Sequence, residues 1–184
     1  RGYLSAGPFV PEVVLEHPEV VTQLHREFIR AGSDVVQAFT YYGHREKLRI
    51  IGKEHLLEPM QKGALKIAKD AAAEFKDLDL MVCGDVANTN VFDPGDPNTH
   101  KQCQQMYEEQ IAWAKEAGVD FVIAETISWT DEMKIALKAI KEAGLIAVCN
   151  FAIPRGDKTR EGHSAEDACK MMEDLGANVV GLNC

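Results

Sequence analysis

The sequence predicts an α/β fold of parallel strands, specifically a partial (β/α)8 barrel holding about strands 2 to 6 with their helices. From about Glu16 onward, short apolar runs alternate with charged amphipathic stretches, the pattern of strands joined by helical crossovers. A closing unit also recurs, in which a helix ends, a glycine follows and a strand begins: Lys115-Glu-Ala-Gly-Val-Asp-Phe121, Lys141-Glu-Ala-Gly-Leu-Ile-Ala147, Glu173-Asp-Leu-Gly-Ala-Asn-Val179 and, earlier, Arg30-Ala-Gly-Ser-Asp-Val35. The 184 residues are fewer than the about 250 that a complete barrel takes. Because the chain opens on Arg1 and stops at Cys184 directly after an apolar run, residues 1–184 are expected to form one incomplete barrel domain, truncated at both ends. On pattern alone, a doubly wound open sheet is the alternative.

Each element has a local reason. Residues 18–31 read as a helix, with Pro18 near its start, where a missing N–H is harmless, and Gly32 past its end. A strand follows at 35–39 and a helix at 55–75. Next come a strand at 80–83, a helix at 99–117 ended by Gly118, and a strand at 121–124. A helix at 130–143 ends before Gly144, a strand occupies 146–149, a helix at 164–175 ends before Gly176, and the last strand is 179–182. Glycine at each helix end accepts the left-handed conformation that closes a helix.

A content of 46% hydrophobic and 27% charged residues describes a folded domain with a sizeable core. The formal net charge of −9, without a Lys/Arg run, repels a phosphate backbone or an anionic membrane, which argues against nucleic acid and membrane partners. No apolar stretch approaches the roughly 20 residues that span a bilayer, and no signal segment is visible, so a cytoplasmic location is expected. The five cysteines are widely spaced and lack a C-x-x-C pair, which speaks against a disulfide framework or a zinc finger. No G-x-G-x-x-G or Walker segment supports nucleotide binding, and no H-E-x-x-H places two metal ligands on one helix.

In a barrel, chemistry gathers at the C-terminal ends of the strands. The residues there are Thr40, Tyr41 and Tyr42; Asp85 and Asn88; Glu125 and Thr126; Asn150; and Asn183 with Cys184. At the opposite ends, Ser33, Asp34, Asp79, Asp120 and Asn178 read as solvated turn residues. Glu125 closes the apolar run Phe121-Val-Ile-Ala-Glu125, where its carboxylate needs donors or a cation; it is either a structural acid or an anchor for a substrate ammonium. Tyr41 and Tyr42 are either core and surface rings or a wall for a cationic ligand, to which Phe9 of the Gly7-Pro8-Phe9 turn adds a further ring. Cys184 by itself reads as either a core thiol or a metal ligand.

The stretches Ala6-Gly-Pro, Glu16-His-Pro-Glu19, Gln23-Leu-His-Arg-Glu-Phe28, Phe39-Thr40, Asp120-Phe-Val-Ile-Ala-Glu125 and Gly176-Ala-Asn-Val-Val-Gly-Leu-Asn-Cys184 resemble the betaine-homocysteine S-methyltransferases of the homocysteine S-methyltransferase family, along essentially the whole chain. The resemblance implies a zinc-dependent (β/α)8 barrel that moves a methyl group from betaine to homocysteine, giving methionine. It implies that Cys184 is a zinc ligand, completed by a Cys-Cys pair absent from this chain, that Glu125 lies in the homocysteine pocket, and that Tyr42 lies beside the donor. Thr40 and Asn183 are implied as neighbours. Phe9 and Ala38 depart from the family's tryptophan and threonine, so S-methylmethionine is the competing donor, and a barrel that binds homocysteine without catalysis is the other alternative. The full-length protein is expected to be a homo-oligomer, and this chain alone to be inactive and to hold zinc weakly.

Overall fold

The computed structural model describes residues 10–154 and 156–184. They belong to two compact units, one of residues up to 85 with 113–120, the other of 86–112 with 121–184. Within each unit the strand order is the chain order and the named strands pair in parallel.

The first unit contains helices α1 (Val13–Glu16) and α2 (Pro18–Arg30), strand β1 (Val35–Gln37), helix α3 (Arg45–Ile50), a 3-10 turn (Glu54–Leu56), helix α4 (Leu57–Ala73) and the start of strand β2 (Met81–Ala87). Pro18 opens α2, and Val21, His25 and Ile29, spaced four apart, are its buried stripe. The stripe packs on α4, and Val10, Val13, Val14, Val21, Leu48, Leu57, Met60 and Ala64 form one core cluster. Full burial of such a side chain contributes about 1.5–3 kcal/mol. Helix α4 approaches α1 closely at Gly63, where a Cβ would meet Val14 Cγ1 at 3.1 Å. At Gly32, φ is 101°, and the N–H of Ser33 reaches back to the carbonyl of Phe28 at 3.1 Å, closing α2 as the sequence predicts. Strand β1 pairs with β2 from Val35 against Met81 to Gln37 against Cys83.

The second unit takes the end of β2 and most of helix α5 (Pro97–Glu116), then strand β3 (Phe121–Ile127), helix α6 (Thr130–Glu142), strand β4 (Ile146–Phe151), helix α7 (Ala165–Asp174) and strand β5 (Val179–Leu182). Ser164 caps α7 by accepting the N–H of Asp167 at 3.0 Å. Pairing runs from Phe121 against Ile146 along β3 and β4, and from Val148 against Val179 along β4 and β5.

Strands β2, β3 and β4 outlast the apolar runs that announced them, because Asp85, Glu125, Thr126 and Asn150 lie within pairing strands instead of after them. Helices α1 and α3 were not expected; each is too short to display a hydrophobic period, while the 3-10 turn takes the first residues of the helix expected at 55–75. Asp120 and Asn178, read as solvated turn residues, are exposed as expected and also act as ladder clamps. Asp120 Oδ2 accepts the N–H of Val82 at 2.7 Å, and Asn178 Oδ1 accepts the N–H of Ala147 at 2.9 Å, so each supplies the acceptor that a strand beginning at that point lacks. No helix among the described residues is long and apolar enough to cross a membrane.

Candidate functional site

In the second unit, Glu125 pairs with Asn150 of β4, and the ladder then shifts register between Glu125 and Ile127. Thr126 is the residue at the shift, with φ at 58°. Its N–H turns out of the ladder and donates to Asn183 Oδ1 at 3.0 Å. The backbone N–H of Asn183 donates to the carbonyl of Phe151 at 2.9 Å, which seats the residue at the end of β5. A backbone N–H can only donate, so the Asn183 amide has one orientation, with its NH2 group directed to the other partners. That group donates to Thr126 Oγ1 at 2.8 Å and Glu125 Oε2 at 3.0 Å. Cys184 Sγ lies 3.7 Å from the same nitrogen and 3.9 Å from Thr126 Oγ1. The structure thus brings together Glu125, Asn183 and Cys184, three of the residues singled out from sequence, through one side-chain amide.

The cysteines separate by environment. Cys83, Cys103 and Cys149 are fully buried, and burial pushes the thiol of Cys103 up to about 11 and that of Cys149 up to about 12, which leaves them protonated and inert. Cys184 is the exposed one. Among the described residues no group of three or more His, Cys, Asp and Glu side chains is placed to hold a metal ion.

Thr40 and Tyr42 belong to the first unit, just past the end of β1. Thr40 is buried, and its hydroxyl donates to the carbonyl of Asp85 at 3.1 Å, tying the loop to β2. The carbonyl of Thr40 accepts the N–H of Gly43 at 2.7 Å, and Tyr42 sits inside that turn with φ at 58°. The rings of Tyr41 and Tyr42 lie 4.3 Å apart, that of His44 stands edge-on to Tyr42 at 6.0 Å, and Lys47 Nζ lies over the Tyr42 ring at 4.1 Å. The rings of Tyr41, Tyr42 and His44 thus cluster just past β1, and the cation over Tyr42 is the chain's own Lys47. Phe9 lies outside the described residues.

Sequence reasoning gave no role to Glu132, in the first turn of α6, which is 2% exposed. Its Oε1 accepts from the N–H of Thr89 at 2.8 Å, the hydroxyl of Thr89 at 2.6 Å and the hydroxyl of Tyr107 at 3.2 Å. Desolvation raises its carboxyl above the ordinary range, against the lowering effect of these donors. The hub role of Thr126 was equally invisible, since a left-handed β-branched residue is not announced by its type. The available signal was its position directly after Glu125.

The sequence model of the family described as Homocysteine S-methyltransferase matches residues 4–184. The chain belongs to this family. Betaine--homocysteine S-methyltransferase 1 of Sus scrofa is 34% identical over 189 residues, covering 100% of this chain and 66% of that protein. The Rattus norvegicus protein of the same name is 34% identical over 189 residues, covering 100% of this chain and 45% of its own length. This family member thus spans between about half and two thirds of those relatives. Among solved structures, the metallated form of the homocysteine methyltransferase MmuM from Escherichia coli superposes with a TM-score of 0.84 at 18% identity, covering 100% of this chain and 69% of that one. Its apo form gives a TM-score of 0.74 at 17% identity, covering 95% and 65%. This likeness fixes the fold: parallel α/β, in the order of a partial (β/α)8 barrel.

Proposed function

We propose that the intact protein carrying this chain transfers a methyl group from betaine, or a related onium donor, to the sulfur of homocysteine, giving methionine and the demethylated donor. The observation that carries this reading is the Asn183 amide, which holds a carboxylate and a thiol at one strand end in a chain of this family. In this reading Glu125 anchors the ammonium group of homocysteine, and Asn183 and Thr40 act as positioning residues. Tyr42, with Phe9 as a further ring, faces the positive charge of the donor.

The reaction is an in-line displacement. The homocysteine thiol gives up its proton to solvent water, the sulfur forms a bond to the methyl carbon, and the carbon–nitrogen bond breaks with its electron pair passing to the donor nitrogen, which becomes neutral. An aromatic face therefore holds the donor more tightly than the product. Holding sulfur and methyl carbon in line is the main task left to the protein. Zinc is the metal of this reading: Cys184 serves as one ligand, the rest come from elsewhere in the intact protein, and the bound ion supplies deprotonation of a thiol at neutral pH.

The test is Cys184→Ala in the intact protein. Both methionine formation and zinc, measured by elemental analysis, are expected to fall to background. Retention of zinc and of turnover would overturn the assignment.

A further inference from the structure

Lys47 stands in the first turn of α3, where its backbone N–H is directed at His44 Nδ1 at 3.5 Å. The side chain is half-buried, and its ammonium lies over the Tyr42 ring at 4.1 Å. Many other lysines here are paired with carboxylates: Lys53 with Glu12, Lys62 with Glu58 and Glu116, Lys66 with Asp70, Lys134 with Asp131. Among the described residues, no carboxylate forms an ion pair with Lys47. The adjacent acid, Glu46, is taken by Arg49 through two hydrogen bonds of 2.7 Å. Lys47 is thus a half-buried cation whose side chain rests on an aromatic face.

That arrangement bears on what else Tyr42 can hold. A ring face attracts a cation through its quadrupole, but a second cation at the same ring meets the first as a like charge in a partly dehydrated place. A ligand with a positive group alone is therefore repelled by Lys47. A ligand that also carries a carboxylate offers Lys47 the counter-ion that no described residue supplies, and the repulsion becomes attraction.

We infer that Lys47 is a specificity-determining residue of the donor subsite: its ammonium receives the carboxylate of a zwitterionic onium donor and disfavours an onium compound that has none. This rests on the reading of Tyr42 as a donor contact.

The experiment measures methyl transfer to homocysteine by the intact protein, with betaine as donor and tetramethylammonium as competitor, in the unsubstituted protein, Lys47→Gln and Lys47→Arg. Lys47→Gln is expected to raise the KM for betaine about tenfold, the size of one charge-assisted contact, with kcat within about twofold. The same variant should bind tetramethylammonium several-fold more tightly, and Lys47→Arg should restore the betaine KM to within about threefold. An unchanged betaine KM in Lys47→Gln, or equal weakening toward both compounds, overturns the inference while leaving the methyltransferase reading intact. No transfer from any donor by the unsubstituted protein overturns that reading, and this inference with it.

Discussion

Glu125 and Glu132 are the same residue type, seven positions apart in the second unit, and their surroundings differ. Glu125 lies within β3 just before the register shift, half-buried, with one oxygen held by the amide of Asn183, the residue after β5. Glu132 opens a helix, is 2% exposed, and gathers donors from Thr89 and Tyr107 onto one oxygen. Fixed by the chain's own groups, Glu132 stitches the segment after β2 to α6. In the proposed function it is Glu125 that meets a ligand's charge. Burial and the origin of its donors decide what a carboxylate does; its residue type does not.

Substitution should therefore separate stability from function. Glu132→Ala leaves two hydroxyls and an N–H without their buried acceptor, so unfolding free energy should fall by about 3 kcal/mol, read from urea melts. Glu125→Ala should change stability by less than about 1 kcal/mol but raise the KM for homocysteine at least tenfold, as loss of a charged anchor does. If Glu125→Ala were the more destabilising of the two, or left the KM unchanged, the contrast would be broken.

A smaller effect sharpens it through pH. Desolvation raises the Glu132 carboxyl above its ordinary 4.5, so the folded protein holds that proton more tightly than the unfolded chain does. The stability this contributes is complete below 4.5 and is lost as pH climbs through the raised value. Relative to Glu132→Gln, which cannot titrate, the unsubstituted protein should lose stability as pH rises past 4.5. A gap between their urea midpoints that stays flat with pH would contradict this.

The smallest effect concerns the strand clamps. Asn178→Ala removes the acceptor for the N–H of Ala147, a fully buried residue, and should cost about 1 kcal/mol with no change in homocysteine KM. A change in KM would mean that the clamp reaches the site.

Much of the fold could be read before any coordinates, and the reason is local. Phe121, Ile146 and Val179 begin strands as predicted because a helix-ending glycine and a short turn fix where pairing can start. Strand ends were misjudged because the apolar criterion stops at the first polar residue, whereas Glu125 and Asn150 pair with each other across β3 and β4. The candidate site was legible as a set of positions: Glu125, Asn183 and Cys184 were each recognised as strand-end groups. Their connection was not, because it depends on Thr126 reversing its backbone to meet an amide 57 residues away.

What the sequence by itself determined is the alternation of strand and helix, the turn at each helix end, the family, and the polar residues that lie at strand ends, since all of these follow from neighbours along the chain. Only the tertiary structure decided that Asn183 faces Glu125 with its NH2 group, that Lys47 rests on Tyr42, and that the exposed Asp120 and Asn178 also complete a ladder. Hydrogen bonds and charge contacts between distant segments depend on distances of a few tenths of an ångström, and such distances exist only once the backbone has been folded into place.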